Sequence, residues 1–376
     1  MSRSTLESRK LEHLELSVRD DVTFEEKCSE LFSDIVLVHQ ALPRLNFNDI
    51  STATEFLGYE LGAPILIEGI TGGIPEAERI NTLLADIASR FKIALELGSM
   101  RPMIASKFKP EVVRTYKVAR EKADDVPLIG NIGAAQLAEV DVTELAYALE
   151  VIGADALAVH LNPAQEIVQP EGDRNFGDKL LDKLADLVRS LSKPVIVKEV
   201  GHGLSMETVS MLAKIGVKYF DTAGSCGTSW VKIEALRCHE GSLNHVLGLR
   251  LHESWWGIPT PVSVIETRAA TRSSFVIASG GVWDGVKAAK LLTLGANMVG
   301  FARPLVKVLR TGDFEAALRY VDQYIAELKA IMFLTGTRSI NEFCRTPVVL
   351  GYKLSSYLTF RGIDPLKYVK EVRCPE

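Results

Sequence analysis

Eight short apolar segments, each followed by an amphipathic helical segment, recur along the chain from residue 64 to residue 302. Their near-continuous apolar character is typical of strands that are covered on both faces, as in a parallel sheet. The segments begin at Pro64, Ile93, Pro127, Ala154, Pro194, Val217, Phe275 and Ala296. Eight consecutive strand–helix units favour a closed barrel over an open doubly wound sheet. We therefore predict an α/β fold, a (β/α)8 TIM barrel.

A chain of 376 residues is long enough for one large barrel with extensions at both ends. We predict a single domain over residues 1–376, made of an N-terminal arm (1–63), the barrel (64–304) and a helical tail (305–376). The arm contains one strand-like piece, Ile35 to His39. The tail contains a helix with an apolar face formed by Leu318, Val321, Ile325 and Leu328.

Helices are predicted between the strands, and three glycines stand where a helix should stop. The predicted helices include 77–91, 143–153, 178–192, 206–215 and 283–294, and the glycines are Gly153, Gly216 and Gly295. The longest connection runs from Lys232 to Ser274 and contains Trp255-Trp256-Gly257. This aromatic pair either packs simply onto the fold or covers the barrel mouth or an oligomer contact.

The charge balance argues against polyanionic partners. The chain has 43 Lys plus Arg and 48 Asp plus Glu, for a net charge of −5. It therefore has no global positive field for nucleic acid or an anionic membrane, and neither is expected as a partner. The N-terminal sequence lacks an apolar signal segment, and no long apolar stretch suggests a membrane span. We predict a cytoplasmic protein.

The cysteine count favours free thiols. The chain has five cysteines, an odd number, and none of them form a close CxxC pair. This pattern suits neither a disulfide framework nor a zinc site, and it indicates a reducing compartment. The residues are Cys28, Cys226, Cys238, Cys344 and Cys374.

The ends of the predicted strands carry the functional signal, because the C-terminal ends of the strands build the active site of such barrels. All eight strands end in glycine or hydrogen-bonding residues, which indicates one ligand site. The last two strands offer a phosphate cradle, in which backbone N–H groups bind the anion. Its candidate residues are Gly280, Gly281, Gly300 and Ala302, assisted by Thr228.

Lys198 ends the fifth predicted strand, near the barrel centre. A cation there is costly unless it faces an anion or an electron-rich ring, and the N1–C2=O edge of a reduced flavin carries negative charge. We therefore predict an organic phosphate cofactor, with FMN as the leading choice.

A second group of cations predicts another anion site. Guanidinium forks and ammonium groups together suit a diphosphate better than a carboxylate. The alternative is that the histidines make ordinary hydrogen bonds and the N-terminal Arg-Lys pair is solvated. The residues are Arg9, Lys10, His13, Arg101 and His160.

Two further residues have open interpretations. Glu166 beside a diphosphate suits Mg2+, which commonly joins a carboxylate to substrate phosphates; without the diphosphate, Glu166 would be a surface salt-bridge partner. Cys226 is either a reactive thiol or, more simply, a small residue at a glycine position.

Ten motifs resemble, in order and over almost the whole chain, those of the type 2 isopentenyl-diphosphate isomerases. The most specific is His160-Leu-Asn-Pro-Ala-Gln-Glu166. The others are Arg9-Lys10-x-x-His13, Thr71-Gly-Gly73, Gly98-Ser-Met-Arg101, Asn131-Ile-Gly133, Gln169-Pro-Glu-Gly172, Val197-Lys-Glu199, Asp221-Thr-Ala-Gly224, Gly227-Thr-Ser-Trp230 and Ser279-Gly-Gly281.

The resemblance implies an isomerase of isoprenoid biosynthesis that interconverts isopentenyl and dimethylallyl diphosphate by a 1,3-proton shift. It further implies reduced FMN and Mg2+ as cofactors, NAD(P)H as the reductant, and a homotetramer or larger assembly. The implied FMN contacts are Gly69, Ile70, Thr71, Ser99, Asn131, Lys198, Thr228, Gly280, Gly281, Val282, Phe301 and Ala302. The implied substrate contacts are Arg9, Lys10, His13, Ser99, Met100, Arg101, His160, Asn162 and Gln165. The implied metal ligand is Glu166, and the implied catalytic residues are Gln165, Lys198 and His160.

Some positions depart from the family pattern, but none removes Lys198, Gln165 or Glu166. These departures bear on how tightly flavin binds more than on the reaction. They are Met100, Val200, Cys226, Trp283 and Asp284. The alternative functions are an FMN-dependent oxidoreductase of the 2-hydroxy acid oxidase type and a flavin-binding barrel without isomerase activity.

Overall fold

Eight parallel strands form a closed barrel in the computed structural model. The structure describes residues 3–374, except for the side chains of residues 3–7 and 138. The last barrel strand pairs with the first, with Val299 in register with Ile65. This closure confirms the predicted barrel over the open sheet. The barrel strands, numbered first to eighth below, are Ile65–Ile67, Ala94–Glu96, Leu128–Gly133, Ala156–His160, Val195–Lys198, Tyr219–Asp221, Phe275–Ser279 and Met298–Phe301.

A short hairpin closes the N-terminal end of the barrel. Its strands, Thr54–Phe56 and Tyr59–Leu61, are antiparallel. Phe56 and Leu61 are buried in one cluster with side chains from the barrel strands. This end is therefore filled by apolar side chains, and the opposite end of the barrel is left for a ligand.

Helices surround the barrel and extend it at both ends. Those predicted between strands are confirmed to within a few residues; for example, Gly153 (φ 69°) ends the helix Val142–Ile152 in the left-handed conformation. None of the described helices is both long and apolar enough to cross a membrane. The α-helices are Arg3–Ser17, Glu25–Ser33, Pro75–Phe91, Arg101–Ala105, Pro110–Lys122, Val142–Ile152, Pro163–Val168, Asp178–Ser190, Met206–Lys214, Trp230–Arg237, Leu243–Glu253, Thr260–Ala270, Gly285–Thr293, Arg303–Arg310, Phe314–Thr335, Tyr352–Phe360 and Pro365–Lys367. Shorter helical turns are Asp20–Val22, Phe47–Asp49, Ala134–Ala138, Ile340–Arg345 and Tyr368–Val372.

The arm and the tail pair with each other. The strand Ile35–Leu37, predicted in the arm, lies antiparallel to Val348–Leu350, so the tail is not purely helical. In the tail helix Phe314–Thr335, Val321 and Leu328 are buried, and the other two residues of the predicted apolar face pack against the same core.

The arm also binds the barrel and the first helix of the tail through hydrogen bonds to backbone carbonyl groups. The Arg303 guanidinium donates to the Ser17 carbonyl oxygen at 2.9 Å, and Arg310 donates to that of Leu14 at 2.8 Å. The Phe24 N–H donates to the Gly227 carbonyl at 2.9 Å. The arm is therefore held beside the C-terminal ends of the sixth and eighth strands.

The expectation of free thiols is wrong for four of the five cysteines. Disulfides join Cys28 to Cys226 and Cys344 to Cys374, with Cα atoms 5.3 and 5.0 Å apart, and Cys238 is free. The paired residues are 198 and 30 positions apart in sequence, so a search for closely spaced pairs misses them. Cys226 is therefore neither a free reactive thiol nor a simple glycine replacement, because it ties the arm to the loop after the sixth strand.

The connection between the sixth and seventh strands is helical. Trp255 packs against the core and its indole N–H donates to the Ser225 carbonyl oxygen at 2.6 Å. Trp256 is 58% exposed. The two tryptophans therefore differ, and simple packing holds for Trp255.

Candidate active site

A cavity at the C-terminal ends of the barrel strands collects most of the residues that the sequence singles out. It combines residues from the arm with residues that follow all eight strands. The predicted residues on its wall are Arg9, Lys10, His13, Gly69, Ile70, Ser99, Arg101, Asn131, His160, Asn162, Gln165, Glu166, Lys198, Thr228, Gly280, Gly281, Gly300, Phe301 and Ala302.

Three predicted contact residues do not line this cavity. Met100 and Val282 are fully buried in the apolar core. The structure therefore does not support side-chain contacts from these two residues to a ligand. Thr71 is also buried, and its hydroxyl has no hydrogen-bond partner among the described residues.

The turn after the seventh strand has the geometry of an anion cradle. Gly280 and Gly281 have φ angles of 95° and 80°. A Cβ atom at these positions would overlap the carbonyl oxygens of Gly224 and Cys226, respectively. Only glycine allows this close backbone approach, which leaves N–H groups for an anion.

The helix after the eighth strand can add to this cradle. It begins after Ala302, and no side chain in the described part of the chain caps its first turn. Its free N–H groups and its dipole favour a phosphate. The helix Gly285–Thr293 differs, because the Asp284 carboxylate accepts from the Lys287 N–H at 2.7 Å. The departure at Asp284 is therefore an ordinary helix cap.

Lys198 lies among three carboxylates at the centre of the barrel mouth. Its ammonium nitrogen is 2.6 Å from Glu68 Oε2, 3.0 Å from Asp221 Oδ2 and 3.5 Å from Glu96 Oε2. Burial alone would lower the pKa of Lys198, but Asp221 and the two glutamates outweigh it and raise the pKa well above its usual value. The burial of Lys198 therefore does not by itself require a ligand anion, since the protein supplies its counter-ions.

A hydrogen-bonded chain fixes the tautomer of His160. The Asn131 amide donates through Nδ2 to the Glu96 carboxylate, so its Oδ1 is the acceptor for His160 Nδ1, which lies 2.9 Å away. Burial and the charges of Lys198, Lys10 and Arg9 lower the pKa of His160 to about 3. His160 is therefore neutral at physiological pH, with its proton on Nδ1 and Nε2 unprotonated.

Glu234, which the sequence does not single out, orients Gln165. Its buried carboxylate accepts from Gln165 Nε2 at 2.7 Å and from Arg237 at 2.6 Å, and His13 Nε2 lies 2.9 Å away. The other end of the Gln165 amide accepts from Asn162 Nδ2 at 3.1 Å. Both ends of the amide are therefore fixed at the cavity wall.

Glu166 is held in place but keeps capacity for a cation. Its two oxygens accept from Asn162 Nδ2 at 3.0 Å and from the Asp173 N–H at 2.7 Å. Burial raises its pKa. A carboxylate has about four lone-pair sites, and Gln169 Nε2 also donates to Oε2 at 3.4 Å, so about one site remains for a metal ion.

The arm side of the cavity is cationic and short of counter-ions. Arg9 lies 3.7 Å from Glu171, but Lys10 and Arg101 form no ion pair with any described residue. Burial and the charges of Arg9 and Arg101 lower the pKa of Lys10 to about 7. An anionic ligand bound beside Lys10 would raise the pKa of Lys10 again and keep its amine protonated.

We expect the affinity for diphosphate to fall as pH rises. Above about pH 7 Lys10 loses its proton in the free protein, and the site then holds one positive charge fewer. The dissociation constant for inorganic diphosphate with Mg2+, measured by calorimetry, should rise about tenfold between about pH 7 and about pH 9.

The matched control is Lys10→Arg, which stays charged over this range. The ligand ionises in the same way with both proteins. The variant should therefore show a weaker pH dependence than the wild type, and the difference is the contribution of Lys10. An equal pH dependence in both proteins would rule out this role for Lys10.

Known proteins resemble this chain in sequence over nearly its whole length. The model of the FMN-dependent dehydrogenase family matches residues 254–349. The isopentenyl-diphosphate delta-isomerase of Sulfurisphaera tokodaii is 40% identical over 384 aligned residues, covering 99% of each chain. That of Pyrococcus furiosus is 40% identical over 371 residues, covering 96% of this chain and 91% of the relative.

Solved structures share the fold at low sequence identity. A lactate oxidase of Pediococcus acidilactici superposes with a TM-score of 0.64 at 14% identity, covering 93% of this chain and 94% of that chain. A mandelate oxidase superposes with a TM-score of 0.61 at 15% identity, covering 93% and 96%. These likenesses support the barrel fold, whereas the near-full-length relatives identify the family. The chain belongs to the type 2 isopentenyl-diphosphate delta-isomerase family.

Proposed function

We propose that this protein interconverts isopentenyl and dimethylallyl diphosphate by a 1,3-proton shift, with reduced FMN and Mg2+ bound. The observation that carries the proposal is the meeting of two anion sites on one cavity. The glycine cradle after the seventh and eighth strands suits the phosphate of FMN. The cations of Lys10 and Arg101, which form no ion pair with any described residue, suit the diphosphate of the substrate.

The residues present fit FMN. Backbone N–H groups at Gly280 and Gly281 and the uncapped helix start after Ala302 would hold its phosphate. The hydroxyl of Thr71, which has no hydrogen-bond partner among the described residues, follows Gly69 and Ile70, two residues of the wall, in the chain. Lys198 would meet the flavin ring from the centre of the barrel.

The substrate end combines residues of the arm with residues at the ends of the second and fourth strands. Arg9, Lys10 and Arg101 would bind the diphosphate, and Glu166 would bind Mg2+ that bridges to it. His160, neutral and protonated on Nδ1, would complete this end of the site. Gln165 would meet the hydrocarbon part of the substrate, with its amide oriented by Glu234 and Asn162.

The reaction needs an acid and a base at an unactivated alkene. No side chain on the described wall is acidic enough to protonate such an alkene readily. Reduced FMN, when bound, would supply this acid–base chemistry. The side chains therefore bind, orient and shield the substrate rather than transfer its protons.

We also propose NAD(P)H as the reductant, a homotetramer or larger assembly, and a cytoplasmic location. The reductant and the assembly are supported by the resemblance of the motifs to the family. The location rests on the sequence prediction alone, and the two disulfides remove the cysteine argument for a reducing compartment. Size-exclusion chromatography with light scattering tests the assembly.

The proposed reaction is tested by anaerobic isomerisation. The protein, loaded with FMN, reduced by NAD(P)H and given Mg2+, should equilibrate the two diphosphates and exchange solvent deuterium into them. Reductant should not be consumed in proportion to product. Omitting the reductant, or replacing Glu166 with alanine, should abolish most of the activity while FMN stays bound.

The same assay separates the alternatives. Stoichiometric consumption of reductant, or oxidation of a 2-hydroxy acid, would favour the oxidoreductase. If flavin is bound but no label is exchanged between the isomers, the protein is a flavin-binding barrel without isomerase activity. Either result would overturn the proposal.

A further inference from the structure

Arg237 lies at the centre of an ionic cluster behind the cavity wall. Its guanidinium donates to Glu234 Oε2 at 2.6 Å, to Glu12 Oε2 at 2.8 Å and to Glu171 Oε1 at 3.0 Å. Its side chain is only 9% exposed. One cation therefore serves three carboxylates, which come from three separate segments of the chain.

The turn that carries Glu171 is fixed beside the cavity. The Gly172 N–H donates to the Gln169 carbonyl oxygen at 3.1 Å, and a Cβ atom at Gly172 would overlap the Glu166 carbonyl oxygen. Glu166 and Gln169 line the cavity, whereas Glu171 does not. The turn therefore holds the Glu171 carboxylate next to the wall rather than on it.

Arg9 and Arg237 share this carboxylate unequally. Arg9 Nη1 lies 3.7 Å from Glu171 Oε1, too far for a hydrogen bond, whereas Arg237 Nη2 lies 3.0 Å from the same oxygen. Arg9 Nε is buried and has no hydrogen-bond partner among the described residues. Arg9 therefore keeps donors for a ligand, because Arg237 makes the closer contact with Glu171.

Loss of the Arg237 charge would change this balance. Arg9 would then be the remaining ion-pair partner of Glu171 among the described residues. A shift of about 1 Å would join the two in a charge-assisted hydrogen bond. The carboxylate would occupy a donor of Arg9 and add an uncompensated negative charge beside the diphosphate site. Both effects oppose the binding of a polyanion.

We propose that Arg237 is a positioning residue for substrate binding, which holds Glu171 and so keeps Arg9 free to bind the diphosphate. This rests on the proposed substrate site, which includes Arg9. Arg237 does not line the cavity, so it acts through its neighbours. Its partner Glu234 contacts Gln165, so loss of Arg237 also affects turnover. The binding of inorganic diphosphate isolates the effect on Arg9 from that on turnover.

Calorimetric titration of the whole protein with inorganic diphosphate and Mg2+ tests this role. Arg237→Gln should raise the dissociation constant about tenfold, because Glu171 turns to Arg9. Adding Glu171→Gln to this variant should restore the constant to within about threefold of the wild-type value, because the competing carboxylate is gone. A merely structural role of Arg237 would not be rescued by the loss of a second charged residue.

Glu12 provides the matched control. It also accepts from Arg237 but forms no ion pair with Arg9. Adding Glu12→Gln to Arg237→Gln should therefore leave diphosphate binding as weak as before. Equal rescue by the two glutamate substitutions, or no rescue by Glu171→Gln, would overturn the proposal.

Arg237→Lys keeps the test available where the glutamine variant does not fold, which circular dichroism shows. One ammonium group lacks the fork that reaches Glu234 and Glu171 at once. This variant should bind diphosphate about fivefold more weakly, and Glu171→Gln should again restore binding. Wild-type affinity in folded Arg237 variants would contradict the positioning role. Failure of the wild type to bind diphosphate would instead contradict the proposed substrate site.

Discussion

Replacing Gly281 with alanine will weaken FMN binding by about 100-fold or more. The new Cβ atom would overlap the Cys226 carbonyl oxygen, a backbone atom that cannot rotate away. The φ angle of 80° is also unfavourable for any residue with a side chain. The turn must therefore open, and the N–H groups that would hold the phosphate separate. Titration of the apoprotein with FMN, followed by flavin fluorescence, measures the effect.

Gly312 provides a matched control. Its φ angle of 83° is almost the same, but a Cβ atom there meets no described atom within 4 Å. Gly312→Ala therefore carries a similar backbone penalty without the overlap, and it should bind FMN normally. Wild-type affinity in Gly281→Ala protein with a normal circular dichroism spectrum would refute the cradle.

Replacing Glu234 with alanine should reduce kcat/KM by about 100-fold and lower the free energy of unfolding by about 3–5 kcal/mol. Burial alone would raise the pKa of Glu234, but His13 and Arg237 outweigh it and lower the pKa to about 2. The variant loses this buried charge and leaves Arg237 without its buried partner. It also frees the Gln165 amide to rotate away from the substrate.

Two variants separate orientation from stability. Glu12 also accepts from Arg237, at 2.8 Å, but its side chain is 44% exposed and does not contact Gln165. Glu12→Ala should therefore change kcat/KM by less than about threefold. Gln165→Ala should lose activity at nearly unchanged stability. Full activity of Glu234→Ala at a temperature where it is folded would exclude the orienting role.

The barrel was predictable from sequence because its signal is local and repeated. Each strand is a run of apolar residues, and glycines such as Gly153 mark the helix ends. The positions of most site residues followed from the same pattern, since parallel strands bring their C-terminal ends together. The strand pattern did not place Arg9 and Lys10, which precede the strand-like piece of the arm; their residue types and the family resemblance predicted them.

The charge balance at the barrel centre was also missed, although a sequence signal exists. Glu68 and Glu96 are acids within otherwise apolar strand segments, and buried acids require partners. Considered alone, Lys198 suggested that a ligand must supply an anion. Considered together with the two acids, it suggests that the protein itself supplies the negative charge. The disulfides and the Glu234 network had no comparable signal, because their partners come from distant parts of the chain.

The arm contacts also determine the order in which the protein can assemble during synthesis. The arm is made before its partners, which include Gly227, Arg303 and the strand Val348–Leu350. Until those are made, apolar residues that the finished fold buries, such as Phe32 and Ile35, stay exposed. Contacts between distant residues form slowly, and such exposed segments promote aggregation. The substrate end needs Arg9 and Lys10 from the arm, so it is complete only after the arm has docked onto the barrel.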